Sequence, residues 1–327
     1  MPKEDPDPDS DGLPSLFFLF YITMIYPLAT APLQQLTDPL LTQKGITLYL
    51  KREDMLHPAI SGNKWRKLKY NLAAANAQGK TMLLTFGVAY SNHIAAVAAA
   101  GQAFGLATMG FIRGEEHQPL NATLAMAAAA GMALYYLDRE SYRRKSDPAF
   151  CQELQRLYPQ AYLLPEGGTN SLALQGCAEI IHDIAQPYDI LCCAVGTGGT
   201  LAGIIAGLAG EKQVIGFPAL KGGAFLEMEI RQLVRDYAGQ DYGNWHLETA
   251  YHFGGYARLK PELIAFIRDF KARHQVQLEP VYTGKMMFGL FDLIRQDRFM
   301  PGTVLVALHT GGLQGLAGFR ERLGVEL

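Results

Sequence analysis

From residue 46 to the C-terminus, short apolar runs rich in β-branched and aromatic residues alternate with longer stretches whose apolar positions recur at helical spacing. Runs at 46–50, 81–86, 106–112 and 133–137 form one set, and runs at 189–195, 213–217 and 303–308 a second. Strands alternating with helical patterns of about 10–15 residues predict parallel sheets covered on both faces. Pro261 opens an amphipathic helix with Leu263, Phe266, Ile267 and Phe270 on one stripe. The stretch 92–104 is so rich in alanine that it predicts a helix lying close against a sheet. There is no internal repeat and no long linker. The expected fold class is α/β, with two parallel-sheet domains: a large one from 33–64 and 171–327, and a smaller one, 65–170, inserted between its parts.

The N-terminus breaks this pattern. Residues 1–11 are acidic and proline-rich, and an apolar run at 13–27 is interrupted by Pro14. A secretory signal begins basic and this segment begins acidic; the run is also too short and too broken for a spanning helix. The expectation is an N-terminal extension over 1–32, disordered or a non-native start and outside the fold, with the original start at Met24; a targeting or anchoring segment is the alternative. The formal charge of −2 gives no electrostatic reason to expect nucleic acid, and no membrane association is expected. Cys151, Cys177, Cys192 and Cys193 lack the spacing of zinc or redox sites, so no metal is expected. With Cys192 and Cys193 inside a predicted buried strand, the thiols read as core residues of a cytoplasmic protein.

The chemistry sits at the ends of the predicted strands. Gly196, Thr197, Gly198, Gly199 and Thr200 join an apolar strand to a small-residue helix. Backbone N–H groups there can turn toward one point at a helix N-terminus, where the dipole favours an anion, and Thr197 and Thr200 add hydroxyl donors. A plain glycine-rich turn is the alternative. The spacing is neither the dinucleotide fingerprint, since Leu201 stands where a glycine belongs, nor a Walker A loop, since Met286 follows Gly284-Lys285. Lys64 lies in Ser61-Gly62-Asn63-Lys64; it reads either as a solvated charge or as an imine-forming amine, and Lys67 either as surface charge or as a phosphate contact. Ser91 and Asn92 follow a strand and open a helix, so they are N-caps or groups for a substrate carboxylate and a cofactor oxygen. His93 beside them is a supporting donor or a catalytic group. Tyr256 and Tyr282 occupy loops ahead of helices, where tyrosines pack or, near a cationic cofactor, ionise more easily and act as acid or base. Thr310, after the last strand, is a turn residue or a hydroxyl for a ring nitrogen.

A phosphate cradle and an imine-forming lysine together suggest pyridoxal 5′-phosphate (PLP). With these residues in view, the chain resembles the PLP-dependent family of 1-aminocyclopropane-1-carboxylate (ACC) deaminase and D-cysteine desulfhydrase. The motifs are Lys51-Arg52-Glu53-Asp54, Gly62-Asn63-Lys64 with Arg66-Lys67, Ser91-Asn92-His93, Pro165-Glu166-Gly167-Gly168, the 196–200 loop and Pro280-Val281-Tyr282, in the family's order. The resemblance implies the tryptophan-synthase-β-like fold (fold type II), as a homodimer. It implies Lys64 as the Schiff-base lysine, the 196–200 loop with Lys67 at the phosphate, Asn92 at the cofactor's phenolic oxygen, Ser91 at the substrate carboxylate or in proton movement, and Tyr256 and Tyr282 as active-site tyrosines.

ACC deaminases carry a glutamate, facing the pyridine nitrogen, where this chain has Thr283, and a leucine where it has Thr310. A carboxylate keeps that nitrogen protonated; a hydroxyl leaves it neutral and a weaker electron sink. Opening a cyclopropane without an α-hydrogen demands more of the sink than losing a thiolate. The expectation is therefore α,β-elimination on a small amino acid, D-cysteine first, with ACC deamination as the alternative. A PLP carrier without turnover would need neither the tyrosines nor Ser91, and a nucleotide module would need the missing fingerprint.

Overall fold

A computed structural model of the protein describes residues 30–324 and 326–327. Ala31 and Pro32, placed by the sequence pattern in the extension, are tied to the fold. The Ala31 carbonyl accepts from Lys51 Nζ at 2.5 Å and the Pro32 carbonyl from the Arg52 amide at 2.8 Å. The start assigned to Met24 lies outside the described residues.

Among the described residues ten strands form two sheets. The larger is built from β1 (Leu33–Leu36), β2 (Thr47–Lys51), β7 (Ile190–Val195), β8 (Gln213–Pro218), β9 (Trp245–Leu247) and β10 (Val304–Leu308), in the order β1-β2-β10-β7-β8-β9. Every pairing is parallel except that of β1, which runs antiparallel along the β2 edge. The smaller sheet, all parallel, is built from β3 (Met82–Gly87), β4 (Ala107–Arg113), β5 (Met132–Leu137) and β6 (Ala161–Leu163), in the order β5-β4-β3-β6. The seven strands expected from the pattern are present within a residue or two. Periodicity does not mark β1, β6 and β9, which are too short or too polar to stand out.

Both faces of the large sheet are covered, as continuous apolar strands require. Cys192 faces Ile267, Met286 and Leu290 on one side; its neighbour Cys193 faces Ile204, Ile205 and Ile230 on the other. Both thiols are fully buried and free, and burial pushes both pKa values up. Each fully buried Leu or Ile of these layers contributes about 1.5–3 kcal/mol.

Six helices place the residues singled out in the sequence: α1 (Asn63–Ala77), α2 (Asn92–Phe104), α3 (Ser171–Ala178), α4 (Gly199–Leu208), α5 (Pro261–His274) and α6 (Thr283–Arg295). Leu263, Ile267 and Phe270 of α5 are buried, as its stripe predicts. Alanine-rich α2 buries most of its length in the small-sheet core. Helix α1 joins the two layers: Trp65, Leu68 and Leu72 enter the small-sheet core, while its backbone meets α3 at Gly176, where a β-carbon would lie 1.9 Å from the Arg66 carbonyl oxygen. Arg66 forms a two-pronged ion pair with Glu53, at 2.9 and 3.0 Å, and also bonds Asp183. Glu53 thus anchors the helix that carries Lys64, while Lys51 bonds the Ala31 and Asp183 carbonyls and Arg52 pairs with Asp54; none of the four lines the cavity beyond the strand ends. No helix among the described residues is long and apolar enough to cross a membrane.

Candidate active site

In open parallel sheets, ligands bind beyond the carboxyl ends of the strands. Here the ends of β3, β4, β7, β8 and β10 converge on one cavity of ≈ 400 Å³. It gathers Lys64, Lys67, Ser91, Asn92, His93, Gly196, Thr197, Gly198, Thr200, Tyr256, Tyr282 and Thr310. Gly199, expected from the sequence as part of the phosphate loop, stays off the wall; a β-carbon there would lie 2.7 Å from Thr169 and 3.1 Å from Lys67 Nζ.

Lys64 sits in the first turn of α1, behind Gly62. The glycine has φ +61°, and a β-carbon on it would lie 1.9 Å from the Thr310 carbonyl oxygen, so only glycine brings the helix start this close to the end of β10. The Asn63 amide donates to that carbonyl at 3.2 Å, joining Lys64 and Thr310 at one corner of the site. Lys64 Nζ reaches Asn63 Oδ1 at 3.1 Å. Burial, followed by the charge of Lys67, brings its pKa down from 10.5 to about 7.

Opposite, Gly198 (φ +80°) turns the chain into α4 with no side-chain cap. Lys67 Nζ donates to the Gly167 carbonyl at 2.8 Å, Thr169 Oγ1 at 2.9 Å and Thr197 Oγ1 at 3.4 Å. Among the described residues this buried ammonium has neutral acceptors and no carboxylate partner, and burial lowers its pKa. An uncapped helix N-terminus beside a buried, unneutralised cation is a site for an anion. With a near-neutral lysine across the cavity, this donor set fits both ends of PLP: the phosphate at the 196–200 loop and Lys67, the aldehyde at Lys64.

Ser91 accepts from the amides of His93 and Ile94 at 3.2 and 3.3 Å, so it caps α2 while lining the cavity, with its hydroxyl proton available to a ligand. His93 is buried; its Nε2 pairs with the Thr85 hydroxyl at 2.9 Å, and burial, reinforced by Lys64 and Lys67, holds it neutral. Asn92 Oδ1 accepts from Gln314 Nε2 at 2.7 Å. Tyr256 and Tyr282 meet edge to face, with centroids 6.0 Å apart. The expected easier ionisation is not found among the protein's own groups: burial and its neighbour Tyr256 push the Tyr282 phenol well up, and burial also raises Tyr256.

Sequence reasoning gives no role to four residues here. Asn63 bridges lysine and loop, donating to Thr200 Oγ1 at 2.7 Å; its place at the start of a glycine-capped helix is the available signal. Glu166 lines the cavity, with one oxygen taken by Tyr142, and Arg113 lines it from the end of β4. Glu279 is buried just behind the wall, accepting from the amides of Val281, Tyr282 and Thr283 at 2.7, 2.8 and 2.6 Å. The signal for Glu279 is a carboxylate just ahead of an apolar helix, the pattern of an N-terminal cap. Thr283, which stands where the ACC deaminases carry a glutamate, lies off the cavity and uses its hydroxyl on Glu279.

Fold and site together define an α/β enzyme of fold type II built around PLP. The chain belongs to the family described as pyridoxal-phosphate dependent enzyme, which it matches over residues 27–311. It is 30% identical over 301 residues to a D-cysteine desulfhydrase of Salmonella newport, covering 85% of this chain and 90% of that one. It is 29% identical over 298 residues to a mitochondrial bifunctional D-cysteine desulfhydrase/1-aminocyclopropane-1-carboxylate deaminase of Arabidopsis thaliana, covering 83% and 74%. A crystal structure of an ACC deaminase homologue superposes with a TM-score of 0.78 at 27% identity, over 93% of this chain and 98% of that one.

The depressed pKa of Lys64 makes a kinetic prediction. Only the neutral amine attacks an aldehyde, and here it predominates above about 7 instead of 10.5. PLP uptake by the cofactor-free protein, followed by visible absorbance, should rise about tenfold per pH unit below that value and flatten above it. A rise continuing toward 10.5 would show an unperturbed lysine.

Proposed function

We propose that the protein is a PLP-dependent lyase that takes a small amino acid, D-cysteine first, through α,β-elimination; with one water consumed, the products are pyruvate, hydrogen sulfide and ammonia. The observation that carries this reading is that Thr310 lines the cavity while Glu279 stays behind its wall, with both oxygens on backbone amides. Bound PLP supplies an electron sink for the carbanion at the substrate's α-carbon. With Thr310 and no carboxylate to meet its ring nitrogen, that sink would be modest, sufficient where a thiolate departs as the α-proton is lost.

Lys64 Nζ is the group to take that proton. Its pKa of about 7 suits a base at neutral pH, whereas Tyr282 is held protonated. The Ser91 hydroxyl and the Asn92 amide bind the substrate carboxylate and the cofactor's oxygen. The 196–200 loop and Lys67 hold the phosphate, and Tyr256 and Tyr282 wall the cavity against water.

The test is product analysis of the PLP-loaded protein given D-cysteine, L-cysteine and ACC separately. Pyruvate and sulfide from D-cysteine are expected, with 2-oxobutanoate from ACC at least about a hundredfold slower per unit kcat/KM, a gap of about 2.7 kcal/mol in transition-state stabilisation. Efficient 2-oxobutanoate release would move the protein to ACC deamination and defeat the argument from Thr310.

A further inference from the structure

Lys285, in the first turn of α6, is almost completely buried, and its ammonium does not reach the cavity. Nζ donates to three backbone carbonyls: Gly255 at 2.7 Å, His252 at 2.9 Å and Ala219 at 3.2 Å. Two of these belong to the turn leading into Tyr256; the third follows β8, where the Ala219 amide is itself bonded to the Val195 carbonyl at the end of β7.

That turn is costly. Phe253, Gly254, Gly255 and Ala257 have φ of +53°, +95°, +124° and +52°, so two residues with side chains sit in the left-handed region. Such a backbone persists only where its surroundings over-determine it. Helix α6 does so: Tyr251 donates to Asp292 Oδ2 at 2.9 Å, Phe253 packs edge-on to Phe288 with centroids 4.9 Å apart, and Lys285 gathers the carbonyls.

We propose that Lys285 is a positioning residue, an internal cation that locks the 252–255 turn to the end of β8 and so fixes Tyr256 against Tyr282 at the cavity. The inference rests on the lyase reading only for its effect on turnover. Three convergent carbonyls are a cation cage, and no carboxylate among the described residues forms an ion pair with this ammonium. Burial lowers the Lys285 pKa to about 8, against the pull of Glu279, so the charge is retained at neutral pH. Because Lys285 does not reach the cavity, its loss leaves Lys64 and the phosphate loop in place.

The experiment uses Lys285→Ala, which vacates the cage, and Lys285→Met, which keeps the aliphatic stem without the charge. Both should bind PLP with unchanged visible absorbance. Amide hydrogen exchange across 251–257 should rise by at least about tenfold in both, while β7 and α4 stay protected. Turnover should fall by about a hundredfold, the scale of a misplaced active-site group, with kcat affected more than KM. Ammonium or potassium ions, entering the empty cage, should restore exchange protection and turnover in Lys285→Ala but not in Lys285→Met, whose side chain fills it. Wild-type protection of 251–257 in both variants would overturn the proposal, as would exchange rising equally throughout the large sheet. Absence of amino-acid turnover in the wild-type protein would defeat the lyase reading, and the exchange experiment would still decide the role of Lys285.

Discussion

Lys64→Ala is expected to abolish the visible absorbance of the PLP-loaded protein and to lower elimination by at least about a thousandfold, while leaving the fold intact. On the proposed mechanism, the loss of activity follows from removing the amine that would both hold the cofactor's aldehyde and take the α-proton; groups that act in two roles cost more than either role alone. Intactness follows from the local structure. Among the described residues Nζ bonds Asn63 Oδ1, and the ammonium is disfavoured by burial and by Lys67. Unfolded, the lysine keeps its proton to about 10.5; folded, it loses it near 7. Between those values the unfolded chain binds more protons, so this group makes stability rise with pH, and below 7 it is a standing penalty. In the cofactor-free protein, the variant should melt at or above the parent's temperature near pH 7 and should lack the parent's rise toward 10.5. A yellow, active Lys64→Ala protein would end the assignment of Lys64; a colourless one that melts far below the parent would show that the side chain is structural.

The alternation of apolar runs and helical patterns reveals the class of fold and seven strands, because most of those strands are buried on both faces and cannot hide among polar residues; β5, at a sheet edge with Ala133 and Tyr135 exposed, stands out by its apolar and aromatic side chains alone. Short edge strands have no such obligation, and β1, β6 and β9 are invisible for that reason. The site is legible where chemistry needs an unusual sequence: glycines around a phosphate loop, a lysine behind a glycine that must sit at positive φ, a serine at a helix start. Residues whose roles depend on direction escape. Asn63 can be read only once α1 and the 196–200 loop are known to face each other. Glu279 and Lys285 flank Tyr282 closely in sequence, yet one carboxylate closes on backbone amides and one ammonium on backbone carbonyls. Spacing does not reveal which way those chains point. The same blindness covers Thr283, which lies off the cavity although its neighbour in sequence, Tyr282, lines it.

Because Thr283 lies off the cavity, Thr283→Glu, the change that would imitate the glutamate of the ACC deaminases, is expected to destabilise the protein. Thr283 is 0% exposed; its hydroxyl accepts from the Glu279 amide at 3.1 Å and lies 3.2 Å from Glu279 Oε1. A carboxylate placed there meets a second carboxylate that is already buried and already saturated with donors. Burial raises the Glu279 pKa while the amides of Thr283, Val281 and Tyr282 hold it down, and a second negative charge tips that balance. Two carboxyls sharing such a space do not both ionise, so one must hold a proton well above its ordinary pKa. The expected cost is about 2–5 kcal/mol of stability near neutral pH, the range for a buried, uncompensated charge. A folded state that retains a proton the unfolded chain has released loses stability as pH rises. The deficit against the parent should therefore shrink on going toward acid and grow toward neutrality. Glu279→Gln in the same chain should recover part of the loss, because it removes one of the two buried charges, although its NH2 group then faces a backbone N–H from which the carboxylate had accepted; a double-mutant cycle would measure the coupling. If Thr283→Glu alone unfolds within about 0.5 kcal/mol of the parent at both ends of the pH range, the two side chains do not share a buried space. If the coupling is found, the ring-nitrogen environment of a deaminase cannot be transplanted through position 283 alone. The contrast between the two activities then rests, in this chain, on Thr310 and on where Glu279 points.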